Sequence, residues 1–194
     1  MWLRTGAPED TQQLLEIQRA ASLAGYREIF PPSHYPFPEQ QILAECWQLL
    51  TDPAYRVLVG VGDDGPLVGF VARRAEQISR LYVDPTHWRR GYGGRLLSAA
   101  VDGARADGHR TARLWVLADN RNARGLYERR GWRIDGRTGN AGVPPYPTEV
   151  GYSLDLTDAA LTAEPATTAP PSRSSDDRSA DAETAPVRTD PPRG

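Results

Sequence analysis

Apolar and polar positions recur along the chain in two rhythms, and the switches between them divide the first 156 residues into elements. Trp2 to Thr5 is short and strand-like. Pro8, Glu9 and Asp10 then supply a helix start for a run in which Leu14, Leu15, Ile17 and Leu23 recur at helical spacings, ending near Gly25. Prolines at 31, 32, 36 and 38 break the pattern before helical periodicity resumes over 39–50 and closes at Asp52 and Pro53. Two apolar, β-branched runs, Tyr55 to Val61 and Leu67 to Ala72, flank Asp63, Asp64 and Gly65, a hairpin signal. Strand character returns over Gln77 to Val83 and Thr111 to Leu117; between them Leu96, Leu97, Ala100, Val101 and Ala104 mark one face of a helix. A helical segment from about Asn122 to Arg130 precedes two late strands, near Trp132 to Arg137 and Glu149 to Leu156.

Composition changes at Thr157. From there to Gly194 the chain is rich in Pro, Ala, Ser, Thr, Asp and Arg and has no aromatic residue. Such a segment buries too little apolar surface to order itself, so 157–194 is expected to be a disordered extension of one domain, 1–156. The tail's seven acidic residues and four arginines carry a net −3, leaving 18 acidic and 19 basic residues, +1, in the body for the total of −2. A near-neutral body points away from nucleic acid. The opening MWLRTGAPED lacks the basic start and apolar stretch of a signal peptide, and no apolar run approaches the ~18 residues of a membrane span. A cytoplasmic protein without membrane association is expected. Cys46 is the sole cysteine, which excludes an intramolecular disulfide and a thiolate metal site, and His34, His87 and His109 lack metal-ligand spacing. No metal is expected.

The candidate chemistry begins with WRRGYGGRLLSAAV, 88–101, where three glycines and two arginines stand between a strand and a helix. Backbone N–H groups and the positive end of the helix dipole converge on such a loop, glycines allow a phosphate to approach closely, and arginines add charge-assisted contacts. Neither standard nucleotide loop fits. A P-loop needs a lysine and the chain has none, while the Rossmann pattern would place a glycine where Leu96 stands.

About 30 residues on, DNRNARGLYERRGW, 119–132, runs from a strand end through a short helix to a glycine and an aromatic. Together with LYVDP at 81–85 and RRGYGG at 89–94, this resembles the GCN5-related N-acetyltransferase family. The resemblance is sharp from Glu76 to Arg137, softer over Trp2 to Ala72, and does not reach the tail. It implies an α/β (α+β) fold with a mixed, mostly antiparallel sheet flanked by helices and splayed between its fourth and fifth strands, with acetyl-CoA as cosubstrate in the cleft. By the same resemblance the backbone of Leu81, Tyr82 and Val83 would pair with the pantetheine arm, the Val83 N–H polarising the thioester carbonyl. Arg89, Arg90, Gly91, Tyr92, Gly93 and Gly94 would cradle the pyrophosphate, Asn120 would bond the pantetheine arm or cap its helix, and Tyr127 would protonate the leaving thiolate. Where many members carry a glutamate base this chain has Gln77; Glu76 is the candidate base if a bulge turns it inward, with water relaying to Glu28 or His34 as the alternative. Trp88 departs from the usual loop residue.

In the family, the acceptor pocket lies between the first two helices and the last strands. Here those segments carry Tyr26, Phe30, Tyr35, Phe37 and Tyr146, the residues of a shaped, partly apolar pocket rather than an acidic funnel. The expected activity is acetyl transfer to a primary amine of a small molecule or a peptide N-terminus, by direct attack in a ternary complex. The alternative is a non-catalytic acyl-CoA sensor. Monomer and homodimer are both open.

Overall fold

The computed structural model describes residues 1–63 and 65–157 together with the backbone of Thr184–Pro186. Its elements are β1 (Trp2–Thr5), α1 (Thr11–Gly25), α2 (Glu39–Thr51), β2 (Tyr55–Val61), β3 (Leu67–Arg74), β4 (Gln77–Val83), α3 (Tyr92–Ala106), β5 (Thr111–Leu117), α4 (Arg121–Glu128), β6 (Arg133–Asn140), β7 (Thr148–Asp155) and β8 (Thr184–Pro186). The sheet runs β1-β2-β3-β4-β5-β7-β6, with β8 laid against β4. β4 and β5 are parallel neighbours and the other pairs are antiparallel. This is the mixed, mostly antiparallel sheet expected from the sequence. β3 and β6 run two and three residues further than their apolar patterns, because pairing with β4 and β7 satisfies their backbone whatever the side chains are.

Each face of the sheet has its own core. On one side α3 and α4 bury Leu96, Leu97, Leu126 and Tyr127 against Ile78, Leu81, Val83 and Leu114. On the other, α1 and α2 bury Leu14, Leu15, Ile17, Ile42 and Leu49 against Val59, Phe70 and Tyr82. Leu23, read from the sequence as part of the apolar face of α1, is 39 % exposed and borders a cavity instead.

Two irregularities in β4 set the stage for a site. Ala72 pairs with Arg80 and Arg73 with Ile78, so Ser79 is an extra residue, a bulge held by its hydroxyl donating to the Ala72 carbonyl at 3.1 Å. The bulge breaks the two-residue alternation. Ile78 stays in the α3 core with Leu81 and Val83, while Arg80 and Tyr82 turn to the side of α1 and α2. The second irregularity is the meeting of β4 and β5, which pair at Gln77 and Arg113 alone. Beyond that point β5 runs on with β7, and β4 takes β8 in register Arg80↔Pro186, Leu81↔Ala185, Tyr82↔Thr184. The rest of the extension expected beyond Thr157 lies outside the described residues.

The start of the chain is fixed by a partly buried pair. Asp10 accepts two hydrogen bonds of 2.7 Å from the Arg4 guanidinium and a third of 2.8 Å from the Ala7 N–H, joining β1 to the approach of α1. The Arg4 hydrogen bond, opposed by burial, holds the Asp10 carboxyl below its ordinary range. A depressed carboxylate stabilises the fold above its unfolded pKa and loses that contribution as pH falls through the folded value. Asp10→Ala is therefore expected to cost about 1–2 kcal/mol at pH 7, and less once the pH falls below about 4. Denaturant midpoints of both proteins at pH 7 and pH 3 check this.

Candidate active site

The site follows from where β4 parts from β5. Asp84 N–H donates to Val68 O at 2.9 Å, which fixes the bonding phase of the β3–β4 ladder. In an antiparallel ladder alternate residues bond to the same neighbour, so Tyr82 faces β3 while the amides of Leu81 and Val83 turn to the gap. β8 lies along this edge opposite Leu81 and Tyr82. The end of β4 is capped by the Trp88 indole, which donates to Val83 O at 2.8 Å. Its place before the loop is therefore structural.

The loop from Trp88 to Gly91 carries the chain from β4 into α3. Arg89 and Gly91 have positive φ, 61° and 75°, and Gly91 caps α3 in the left-handed region. This places the first turn of α3, Tyr92 to Gly94, just after the end of β4. Arg89 and Arg90 are exposed there. Arg130, one of the arginines of the 119–132 segment, reaches across from the end of α4: a Cβ at Gly94 would run into its guanidinium. No spacing signal could show this, because the contact joins α4 to α3 through the fold.

Across the gap, Asn120 caps α4. Its Oδ1 accepts from Ala123 N at 3.0 Å, and its Nδ2 donates to the Tyr26 hydroxyl at 3.4 Å. Tyr127 is fully buried beside Trp132 and Tyr152, and its hydroxyl has no hydrogen-bond partner among the described residues. Burial pushes the phenols of Tyr26, Tyr82 and Tyr127 above their ordinary value, so all three hold their protons at neutral pH.

Behind this gap, between α1, α2 and the β6–β7 connection, lies a cavity of about 680 Å³. Tyr26, Phe30, Tyr35 and Phe37 line it, the first three in edge-to-face contact with centroids 6.4 and 6.3 Å apart. Val143, Pro144 and Leu117 close other parts of the wall. Tyr146, expected in the pocket, is absent from the wall: it sits in the connection with φ 57° and is 58 % exposed. Charged residues also line the cavity, which sequence reading missed. Arg80 pairs with Glu45 at 2.8 Å, and Glu149 is only 5 % exposed. Arg80 is brought in by the bulge, and Glu149 stands in a strand whose alternation reads as a solvent face.

Glu76 is not brought to this cavity. It occupies the turn before β4, at the opposite end of the strand from Val83, with its carboxylate 41 % exposed and 3.8 Å from His109 Nδ1. The Ser79 bulge lies after Glu76 and leaves its direction unchanged. His34 borders the cavity and Glu28 does not. Cys46 is buried on α2, its thiol pushed up to about 12 by burial, which leaves it unreactive.

Known proteins resemble this chain in sequence and in fold. The family model for GNAT acetyltransferases matches residues 20–132. The chain belongs to this family. The mycothiol acetyltransferase of Clavibacter sepedonicus is 37 % identical over 95 residues, 47 % of this chain and 30 % of that protein. An uncharacterized N-acetyltransferase of Methanocaldococcus jannaschii is 34 % identical over 80 residues, 36 % of this chain and 35 % of that one. The chain thus spans about a third of the length of these curated relatives. Among solved structures, the PaiA N-acetyltransferase of Thermoplasma acidophilum in complex with coenzyme A superposes with TM-score 0.64 at 20 % identity, covering 79 % of this chain and 98 % of that one. A Salmonella typhimurium protein, YncA, solved with its cofactor acetyl-CoA, gives 0.60 at 22 % identity over 84 % and 98 %. At these identities the likeness is one of fold. As in other GNAT chains, helices flank a mixed sheet. No helix among the described residues is long and apolar enough to cross a membrane, and no cluster of His, Cys, Asp or Glu among them could hold a metal ion.

Gly91 offers a direct test of the loop. No atom lies within 4 Å of where its Cβ would be, so an added methyl meets no clash and only the left-handed backbone opposes it. Gly91→Ala is expected to cost about 1 kcal/mol through that conformation alone, read as a shift in denaturant midpoint with an unchanged m-value.

Proposed function

We propose that this GNAT chain is an acetyl-CoA-dependent N-acetyltransferase that acts on a primary amine of a small molecule or a peptide N-terminus by direct attack in a ternary complex. The observation that carries the reading is a strand edge with two amides turned into a gap, ended by a glycine-capped helix start and backed by a separate aromatic cavity. The residues fit the cosubstrate. The space around Gly91 would admit a phosphate, Arg89, Arg90 and Arg130 stand around the loop, and the Tyr127 hydroxyl, buried without a partner, opens toward no protein group among those described. Acetyl-CoA supplies an activated acyl group on a thiol leaving group.

The chain's own residues then have separable tasks. Leu81 and Val83 offer their amides to the pantetheine arm, a ligand that takes the place of β8 along the edge. The Val83 N–H stabilises charge building on the carbonyl oxygen. The first turn of α3 and its arginines hold the diphosphate. Tyr127 keeps its proton through the neutral range and is the donor for the departing thiolate; burial raises the thiolate's basicity along with the phenol's. The aromatic cavity receives the neutral amine, whose proton leaves through water toward His34 on the cavity wall while bulk water restores the Tyr127 proton, and the absence of a thiol at the gap suits direct transfer.

Two measurements bear on this. Calorimetry on the full chain is expected to show micromolar acetyl-CoA binding that Gly91→Glu removes, since the new carboxylate would fill and repel the phosphate site. No binding by the unaltered chain would sink the reading, and binding without turnover on a broad amine panel would turn it into an acyl-CoA sensor. Tyr127→Phe removes a buried hydroxyl that has no partner among the described residues, so its melting temperature should hold or rise slightly while kcat drops about 10²–10⁴-fold and the KM for acetyl-CoA stays put.

A further inference from the structure

The strand that occupies the released edge of β4 comes from the chain's own C-terminal segment, and its bonding is minimal. β8 runs antiparallel to β4, with Arg80 opposite Pro186, Leu81 opposite Ala185 and Tyr82 opposite Thr184. Because Leu81 turns its backbone polar groups to the gap, the Leu81–Ala185 pair is the one that exchanges two N–H···O bonds, and Thr184 and Pro186 fall on the non-bonded positions beside it. Pro186, which has no N–H, is tolerated there. The register ends at Tyr82, short of Val83, so among the described residues a single bonded pair joins β8 to β4. β8 also lies beside β5, α1 and α4, inside the gap that the acetyl-transfer reading gives to the pantetheine arm.

A three-residue strand with one such pair is weakly held by itself. It is, however, tethered. The 26 residues 158–183 join it to the body and reach ~90 Å when extended, whereas β7 and β4 are separated by β5 alone, about 10 Å. A tethered segment meets the edge at an effective concentration on the order of a millimolar, which populates a weak contact without making it permanent.

We propose that Thr184–Pro186 is a built-in competitor of acetyl-CoA: the tail strand and the pantetheine arm take the Leu81 backbone in turn, and the cosubstrate binds by displacing β8. Both use main-chain hydrogen bonding to the same edge, so one excludes the other. The consequence is regulatory. The apparent affinity for acetyl-CoA is lowered in proportion to the fraction of molecules whose edge is free, and whatever draws the tail away raises it. The inference rests on the acetyl-transfer reading for the identity of the displacing ligand.

Ala185→Pro deletes the N–H that β8 donates to Leu81 and leaves residues 1–157 untouched; Thr168→Pro, the same kind of change elsewhere in the tail, is the control. Calorimetry on the full chain at pH 7 is expected to give at least threefold tighter acetyl-CoA binding for Ala185→Pro than for the unaltered protein, and equal binding for Thr168→Pro. Amide hydrogen exchange without ligand, read by NMR, should be faster at Leu81 in Ala185→Pro by the same factor, since both measurements read the fraction of free edge. Saturating acetyl-CoA should slow exchange at Leu81 and speed it at Ala185 in the unaltered chain. Equal acetyl-CoA binding by the unaltered protein and Ala185→Pro overturns the proposal, as does a gain shared by Thr168→Pro, Ala185 exchange that bound acetyl-CoA leaves unchanged, or Leu81 exchange indifferent to Ala185→Pro. No acetyl-CoA binding by any of the three proteins would instead strike the acetyl-transfer reading, while the Leu81 comparison still judges whether β8 holds the edge.

Discussion

The structure depends on β4 being bonded along one side and released along the other. Against β3 it forms a continuous ladder interrupted by one bulge; against β5 it pairs once, at Gln77 and Arg113. A strand released in mid-sheet keeps its polar backbone, and an edge with unpaired amides recruits a partner. In this structure that partner is the backbone of β8. A pantetheine arm, with its own amide donors and acceptors, is chemically the same kind of partner, so the edge that captures a tail strand is also one that can read a cosubstrate. The splay and the ligand chemistry are two aspects of one unmet demand.

The Ser79 bulge turns this edge into a site with two rooms. Without it, Ile78, Arg80 and Tyr82 would share a face, and a guanidinium would press into the α3 core. With it, Ile78 packs under α3 while Arg80 and Tyr82 face α1 and α2. Arg80 then meets Glu45 from α2, which neutralises it in the cavity wall. One extra residue therefore separates an apolar core on one face of β4 from a mixed polar cavity on the other.

Most of the fold was legible because periodicity reports local geometry. All seven strands and four helices of the body appear in the sequence as changes of rhythm, and their ends differ by a few residues where pairing overrode side-chain pattern. The loop at 89–94 was legible for a similar reason: glycines at a strand-to-helix junction constrain the backbone directly. What escaped was set by position in space. Glu149 alternates with Val150 and Tyr152 as a solvent-facing residue should, and only the cavity beyond β5 makes its face an interior one. Arg130 reads as one arginine among several on a helix, and only the approach of α4 to α3 brings it to Gly94. Tyr146 shows the converse, an aromatic in the right segment whose backbone carries it outward. Thr184–Pro186 carries no strand pattern at all, since what it answers is an edge elsewhere in the chain.

Charge is laid out along the cleft in three zones, and that order has a physical use. At the α3 end stand Arg89, Arg90 and Arg130 with the helix start behind them. In the middle, Tyr26, Tyr82 and Tyr127 are held neutral by burial, so the zone between is polar without carrying charge. At the cavity end stand the Arg80–Glu45 pair and the nearly buried Glu149. On the acetyl-transfer reading, the cosubstrate's diphosphate would be drawn to the arginine end, because in a partly desolvated space an anion meets attraction there. Its thioester would then come to the neutral middle, beside the amide of Val83 and the hydroxyl of Tyr127. There, with little water to compete, a single backbone N–H has its greatest effect on a developing negative charge.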